Sequence, residues 1–254
     1  MQRIPPHSSI RRGKGEFVTN ILKKSCAPHF LRLLEHGPAL GPAHVHGGMS
    51  DDGSGETFAL KQITDLMAQI REEYPGIHFQ IYSGNAEEVA ERLEKGLLDF
   101  GVFVEPADIS RYNSIRLPVL DTWGLILRKD HPLAQKEHIT REDLGDVPLI
   151  MSRQEMAAQK AGNNYLDWFG GSYELLNVVA GYNLMYNGAL MVRSGLGCAV
   201  GLDRIVNTTE TSDLCFRPFD PPLEAGIVVV WKKYQVFSKA AEILLEKMKK
   251  VFEK

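Results

Sequence analysis

The densest group of potential metal ligands lies near the N-terminus. Cys26, His29, His36, His44 and His46 fall within 21 residues, and thiolate sulfur and imidazole nitrogen are the ligands that Zn²⁺ prefers. Structural zinc sites use ligands at regular spacings, however, and one cysteine with irregularly spaced histidines matches none of them. We therefore predict no metal site and no cofactor.

Sequence patterns typical of enzymes are missing or occur in the wrong context. The glycine-rich run at 195–201 follows a predicted helix and leads into a strand, whereas a dinucleotide-binding loop leads from a strand into a helix. Cys198 lies in a predicted buried strand without a nearby histidine, as a small core residue would. Asp99 begins a strand, where a carboxylate more often bonds to nearby backbone. We predict that the protein is not an enzyme.

The composition is that of a soluble globular protein with one large or two smaller domains. The chain has 254 residues, 44% of them apolar, and a formal net charge of −3. No stretch reaches the roughly 20 apolar residues of a membrane-spanning helix, and no apolar run follows the N-terminal basic residues as in a signal peptide. The three cysteines lie far apart, which is typical of reduced proteins. We therefore expect a cytoplasmic protein that does not contact a membrane.

The charge is distributed unevenly along the chain. Residues 1–48 hold seven Lys and Arg and two acids, a net charge of +5, which leaves −8 for the remainder. We predict that this segment is a poorly ordered basic extension with one short helix at most. Such a segment could contact nucleic acid through phosphates or could be a solvated tail, and the composition leaves both interpretations open.

Regular patterns begin near residue 55. Apolar residues at three- and four-residue spacing predict a helix over 60–74, and alternation predicts a strand over 77–82. A helix that Asn85 would cap leads to a strand over 97–104 that is apolar on both faces. A strand, a helix and a strand in this order form a right-handed βαβ unit and imply a parallel sheet.

The second half of the chain repeats this order with a different sequence. Thr140 and Asp143 would cap another helix, and turns at 117–120 and 220–223 would carry the chain from one lobe to another and back. We predict an α/β fold with lobe I at 49–118 and 224–254 and lobe II at 119–223. The further strands are predicted at 123–127, 148–151, 176–180, 198–202, 214–219 and 227–231, and the helices at 154–169, 184–193 and 237–252.

Several motifs resemble one known family in their order along the chain. The run EEYPGIHFQIYSGNAEEVAERLEKGLLDFGVFVEP is similar to the first half of the effector-binding domain of LysR-type transcriptional regulators. The stretches RLPVLDTWGLILRKDHPLA, ITREDLGDVPLI and ALMVRSGLGCAVGL continue the likeness, which covers residues 55–254. The resemblance implies two Rossmann-like lobes joined by two crossing segments, as in type 2 periplasmic binding proteins.

The N-terminal part of the chain departs from that family. LysR-type regulators carry a winged helix-turn-helix and a linker helix before the effector domain, and residues 1–48 are too short for both. They also show no two periodic helices joined by a tight turn. The first strand of the family's effector domain has no clear apolar run here. DNA contact is therefore expected only through a helix-turn-helix module that is not evident in this chain.

The residues expected to contact a ligand lie at strand ends and helix N-termini, where free N–H groups attract anions. The resemblance implies the same places. Arg153 would clamp an anion, because its planar fork matches a carboxylate, whereas Glu56 and Glu105 would receive a cationic or hydroxylated group. Thr57 and Asn85 could instead only cap helices. The predicted ligand-binding residues are Gly55, Glu56, Thr57, Gly84, Asn85, Glu105, Pro106, Ser152, Arg153, Asn183 and Leu202.

We predict a ligand-sensing domain of a LysR-type regulator, which binds a small polar metabolite between its lobes and controls transcription. Lobe closure would rearrange a homo-dimer or tetramer, for which the resemblance implies antiparallel side-by-side pairing with 86–95 as one candidate face. The alternative is a solute-binding protein of a transport system, which has the same two-lobed plan. It is disfavoured because no signal peptide or lipid-attachment cysteine lies near the start.

Overall fold

A computed structural model gives the fold of the chain. It describes residues 57–84, 86–153, 156 and 164–253, together with the backbone of 43–48. Several predictions lie outside the described residues. These concern the extension over 1–42, most of the helix predicted at 154–169, the binding residues Gly55, Glu56 and Asn85, and the potential metal ligands Cys26, His29 and His36.

The described residues form nine strands and five α-helices, with two short 3-10 helices at Pro132–Gln135 and Arg141–Leu144. None of the described helices is both long enough and apolar enough to cross a membrane. The strands are β1 (Ala43–Gly48), β2 (Phe79–Gly84), β3 (Phe100–Val104), β4 (Tyr112–Arg128), β5 (Leu149–Ser152), β6 (Val178–Tyr182), β7 (Cys198–Leu202), β8 (Leu214–Pro218) and β9 (Glu224–Lys232). The helices are α1 (Leu60–Glu73), α2 (Ala86–Glu94), α3 (Asn164–Trp168), α4 (Met185–Arg193) and α5 (Lys239–Phe252).

Local sequence signals explain where several helices form. α1 buries the apolar face whose three- and four-residue spacing predicts it. Thr140 and Asp143 form the predicted capping box, which begins the second 3-10 helix. α5 begins after Ser238, whose hydroxyl accepts a hydrogen bond from the N–H of Ala241 at 3.2 Å. In each case the residues that decide the helix boundary lie within one turn of it.

The strands form two groups on either side of β4 and β9. The hydrogen-bonded order is β2-β1-β3-β9-β4-β7-β5-β6, and β8 also pairs with β4. β1, β2 and β3 are parallel to one another, as are β5, β6 and β7. β4 and β9 are antiparallel to their neighbours. The predicted α/β fold class, two lobes joined by crossing segments, is confirmed, while the exact lobe boundaries stay a prediction.

β1 corrects the predicted start of the domain. The sequence predicts a poorly ordered extension up to residue 48, yet Ala43–Gly48 forms a strand between β2 and β3. Val45 pairs with Ile81 on one side and with Phe100 on the other. Because neighbours on both sides supply its hydrogen bonds, this strand needs little β propensity of its own. The βαβ unit predicted over 77–104 therefore has another strand in its middle.

The first crossing segment is part of a strand and not a turn. The sequence predicts a turn at 117–120, whereas β4 continues through it. Pro118 has no N–H for the ladder, and the register against β9 shifts between Arg116 and Leu120. The proline interrupts the pairing without ending the strand, so β4 passes from one half of the sheet into the other.

Helices cover both faces of the sheet. α1, α5 and α3 contribute to one hydrophobic cluster, which extends through both halves. α2 packs on the opposite face of the first half and α4 on the opposite face of the second. Trp123 of β4 and Tyr165 of α3 meet in the shared cluster with ring centroids 4.7 Å apart. The halves are therefore joined by apolar packing as well as by strand pairing.

The close pairing of β4 and β8 requires Gly124. A Cβ there would lie 2.3 Å from the carbonyl oxygen of Arg217, a backbone atom that no rotamer change can move. We expect Gly124→Ala to lower the free energy of unfolding by about 1–3 kcal/mol, the usual cost of overpacking, in urea titrations. Gly76→Ala is the control, since a Cβ there meets nothing within 4 Å, and should stay within about 0.5 kcal/mol. Equal effects of both changes would contradict this account.

Candidate ligand-binding site

The predicted binding residues of the second half lie at the carboxyl ends of three adjacent parallel strands. β5 lies between β6 and β7, and Ser152 at its end pairs with Tyr182 of β6. Asn183 follows Tyr182 directly, and Leu202 is the last residue of β7. The fold therefore brings Ser152, Asn183 and Leu202 to one edge of the sheet.

The corresponding edge of the first half approaches the same stretch of β4. Glu105 follows β3, and its N–H donates a hydrogen bond to the carbonyl oxygen of Gly226 at 2.8 Å. Gly226 pairs with Leu120 of β4, and Trp123 of β4 pairs with Leu202. The two sheet edges therefore meet β4 within a few residues of each other. The described part of the candidate site lies between them.

Ser152 and its neighbours give the second half a polar end. Ser152 is 0% exposed, and its Oγ has no hydrogen-bond partner among the described residues. An unpaired buried hydroxyl costs about 1–3 kcal/mol. Arg153 and Asn183 are exposed, and the stem of Arg153 passes over Gly181, where a Cβ would lie 2.9 Å from Arg153 Cγ. A hydroxyl, a guanidinium and an amide therefore lie at this end of the sheet.

The predicted acidic group of the first half already has a cationic partner. Glu105 accepts a hydrogen bond from the exposed guanidinium of Arg116, and Pro106 follows it through a cis peptide bond. Gly84 is buried at the end of β2, where a Cβ would lie 2.7 Å from a carboxylate oxygen of Glu88. A ligand group that contacts Glu105 would thus share it with Arg116.

Thr57 contacts a buried carboxylate that sequence reasoning missed. Its hydroxyl donates a hydrogen bond to Asp121 of β4 and accepts one from the N–H of Ala59 at 3.1 Å. Asp121 is 1% exposed and also accepts a hydrogen bond from the backbone of Phe58. A carboxylate 64 residues away in sequence thus binds the two residues that precede the first turn of α1. Its one sequence signal is that it is the only charged residue in the apolar run 117–127.

Arg204 connects this carboxylate to the second half of the sheet. Its guanidinium donates to the carboxylate of Asp203 at 2.7 and 3.2 Å and lies 3.7 Å from Asp121. It also stacks over the ring of Phe58, 4.7 Å from the centroid. Its backbone is left-handed, with φ 61°, a conformation that persists when surrounding contacts fix it. Arg204 thereby links the end of β7 to the start of α1.

Burial dominates the electrostatics of Asp121. It raises the pKa of the carboxyl group above the ordinary value of 3.8, and the hydrogen bond from Thr57 opposes the rise. The carboxylate of Asp203 adds to the rise in pKa, and the guanidinium of Arg204 opposes it. Burial thus opposes ionisation of Asp121 at the junction of the two halves, and the hydrogen bond from Thr57 and the guanidinium of Arg204 offset part of this effect.

Most of the chain matches a known family. The family model of the LysR substrate binding domain covers residues 53–253. The chain belongs to this family. The match confirms the resemblance that the sequence motifs carry and spans all of the predicted ligand-binding positions.

The chain is similar to named transcriptional regulators over most of its length. YvbU of Bacillus subtilis (strain 168), an uncharacterized HTH-type transcriptional regulator, is 23% identical over 236 residues, which are 92% of this chain and 76% of YvbU. YwbI of the same organism is 25% identical over 185 residues, 72% of this chain and 60% of YwbI. The solved CcmR regulatory domain of Synechocystis PCC6803 is 20% identical, with a TM-score of 0.66 over 83% of this chain and 97% of that domain. This likeness shows a shared fold.

The described cysteines of this LysR-type domain are poor nucleophiles. Burial, with Cys215 beside it, raises the pKa of Cys198 to about 11, and burial also raises the pKa of Cys215. Thiols with raised pKa values stay protonated at neutral pH and react slowly. As predicted, Cys198 is a core residue. Over 57–253, gaps excepted, no three His, Cys, Asp or Glu side chains gather as metal ligands would.

Asp121 should leave a signature in the pH dependence of stability. Because its pKa is raised on folding, the folded protein binds this proton more tightly than the unfolded chain does, and the parent gains stability from it as the pH falls toward 3.8. Asp121→Asn lacks that gain. The free energy of unfolding of the variant relative to the parent should therefore fall as the pH is lowered from neutral, in urea titrations at several pH values.

Asp130→Asn is the matched control, with the opposite sign. The guanidinium of Arg128 lowers the pKa of Asp130, so the parent loses this contribution as the pH falls through the lowered pKa. The stability of Asp130→Asn relative to the parent should therefore rise as the pH is lowered. The same trend in both variants would contradict the assignment.

Proposed function

We propose that the chain is the sensor of a LysR-type transcriptional regulator, which binds a small polar metabolite between the two halves of the sheet. The observation that carries this proposal is the buried hydroxyl of Ser152, which has no partner among the described residues. A polar ligand atom there would remove the cost of the unpaired hydroxyl. The CcmR regulatory domain, which shares the fold, was solved in complex with 2-PG, and this supports a small-molecule ligand.

The two sides of the proposed cleft favour different ligand groups. On the second half, Arg153 is an exposed cation, and it favours an anionic or hydrogen-bond-accepting ligand group. On the first half, Glu105 supplies a carboxylate, which it shares with Arg116. That side favours hydroxyl or ammonium donors. We therefore propose a ligand with an acceptor at one end and donors at the other.

Ligand binding would change how the two halves are arranged, by shifting an equilibrium between an open and a closed arrangement. A ligand shifts this equilibrium only if it binds one arrangement more tightly than the other. A cleft with polar groups on both sides gives such a preference, because closure brings both sets to the ligand. In this proposal closure rearranges a homo-dimer or tetramer and so controls transcription. In this proposal DNA contact requires a helix-turn-helix module, which is not evident in the sequence of this chain.

The alternative is a solute-binding protein of a transport system, which has the same fold. The family match to the LysR substrate binding domain favours the regulator. So do the relatives, which are named as transcriptional regulators. These names also favour a non-enzymatic role for the chain.

Exposed apolar side chains on the second half are the proposed subunit interface. Tyr186 of α4 is 62% exposed, and Leu190, one turn later, and Val179 on the outer strand β6 are exposed as well. At the other end of the sheet, β2 is the outer strand, with α2 next to it in sequence. Antiparallel pairing would place α4 and β6 of one copy against α2 and β2 of the other. Both ends would then be covered in a closed dimer.

Ser152 offers a test that separates ligand binding from stability. Removing an unpaired buried hydroxyl should leave the ligand-free melting temperature of Ser152→Ala unchanged or raised. The same change should abolish the upward shift that a bound metabolite gives to the parent. A thermal-shift screen of small metabolites against the parent, Ser152→Ala and Arg153→Ala measures both effects.

Ser194→Ala is the matched control for this screen. Its hydroxyl is exposed at the far end of α4 and donates to Leu190 O at 2.9 Å, so metabolite shifts should persist in this variant. A metabolite shift that survives both Ser152→Ala and Arg153→Ala would contradict the proposed cleft, as would the absence of any shift in the parent.

A charged substitution in the proposed interface should lower the mass of the assembly in solution. Tyr186→Glu would bring a carboxylate into an apolar contact, so the assembly should dissociate to single chains, as measured by light scattering after size exclusion. Tyr234→Glu is the control, because Tyr234 is 99% exposed in the loop after β9, and its mass should equal that of the parent. A monomeric parent, or an assembly unchanged by Tyr186→Glu, would refute this interface.

A further inference from the structure

An exposed apolar patch lies on the first half of the sheet, at the edge opposite to the proposed cleft. It consists of Leu97, in the turn before β3, and of Tyr234 and Val236, in the loop after β9. Their exposed fractions are 55%, 99% and 95%. Apolar side chains that cluster on a surface often mark a site of contact. None of the three belongs to the proposed subunit interface, so this patch needs a different partner.

The loop that carries most of the patch is held in place by its own contacts. Gln235 donates a hydrogen bond from Nε2 to the carbonyl oxygen of Leu98 at 3.4 Å, which joins the loop to the turn before β3. The ring of Phe237 stacks on Phe100, with centroids 5.1 Å apart. Tyr234 has a left-handed backbone with φ 63°, a conformation that persists when surrounding contacts fix it. The apolar side chains are therefore presented to solvent by an anchored loop.

The chain enters the sheet beside this patch. β1 begins at Ala43 and runs parallel to β3, with Val45 paired to Phe100. Ala43 therefore lies level with Leu98, next to the turn that contains Leu97. β9 pairs with β3 on the other side, so the end of β9 lies two strand spacings from β1, about 10 Å. The residues that precede β1 leave the sheet at the edge where the patch is exposed.

The sequence just before β1 is suited to cover the patch. Residues 36–42 read HGPALGP, with Leu40 as the one large apolar side chain and without Lys, Arg, Asp or Glu. Leu40 precedes Ala43 by three residues, which span up to about 10 Å when extended, the distance to the end of β9. Pro38 and Pro42 favour an extended backbone, and proline-rich segments bind to exposed aromatic side chains.

We propose that residues 36–42 fold back over this edge of the sheet and pack Leu40 on the patch of Leu97, Tyr234 and Val236. The contact is made within one chain, because three residues are enough to reach the patch, and it leaves the mass of the assembly unchanged. It fixes the direction in which the preceding residues leave the first half. The contact is independent of the proposed cleft and stands whether or not that cleft binds a metabolite.

Cysteine labelling of the full chain tests whether Leu40 covers the patch. Cys26→Ser serves as the background, and Cys198 and Cys215 are buried, so Val236→Cys introduces the one accessible thiol. This thiol should react slowly with a maleimide. Adding Leu40→Ser should raise its labelling rate at least about tenfold, as expected for the loss of a packed leucine side chain.

Leu175→Cys is the matched control, because Leu175 is 80% exposed on the second half, and its labelling rate should not depend on Leu40→Ser. Mild oxidation then distinguishes the occupants. Leu40→Cys with Val236→Cys should form a disulfide within one chain, since this bond needs Cα atoms within about 7 Å, whereas Leu40→Cys with Leu175→Cys should not. The proposal is overturned if Leu40→Ser leaves the Val236→Cys rate unchanged, if the first pair links two chains, or if it links no better than the control pair.

Discussion

The structure depends on β4, a strand of 17 residues that both halves of the sheet use. Its first part, from Tyr112 to Thr122, pairs with β9, and its last part, from Trp123 to Arg128, pairs with β7 and β8. Every parallel strand of either half is reached from β4 through one of these neighbours. The carboxyl ends of both groups of strands are consequently brought toward one stretch of β4. The position of the candidate cleft follows from this pairing.

Asp121 lies on that stretch and shows how the junction is stabilised. A buried carboxylate is unfavourable unless donors surround it, and here Thr57 and the backbone of Phe58 supply them. These donors belong to the residues just before α1, so the carboxylate also fixes how the chain enters that helix. Arg204 then adds a cation from the second half. The groups that offset the desolvation of Asp121 thus also connect the start of α1, β4 and the end of β7.

The sequence predicted best what local signals decide. The apolar face of α1, the box of Thr140 and Asp143, and the strand ends at Ser152 and Leu202 all follow from neighbouring residues. β1 was missed because its pairing partners, and not its own residues, hold it in the sheet. The junction around Asp121 was missed for the same reason, since Thr57 lies 64 residues away. The sequence also does not show which charged side chains meet in the folded protein. The ion pair of Glu105 with Arg116 could therefore not be predicted.

The contacts around β4 also restrict where the two halves can move relative to each other. Asp121 is bound to the first half through Thr57, while the next residue, Thr122, accepts a hydrogen bond from the N–H of Asp203 in the second half at 2.9 Å. The other connection is held nearby, because the N–H of Trp123 donates to Leu223 O at 2.8 Å. Relative movement of the two halves that keeps these bonds must therefore be accommodated around residues 121–123 of β4. Arg204 spans this part of β4, because its guanidinium binds Asp203 at the end of β7 and stacks over Phe58 before α1.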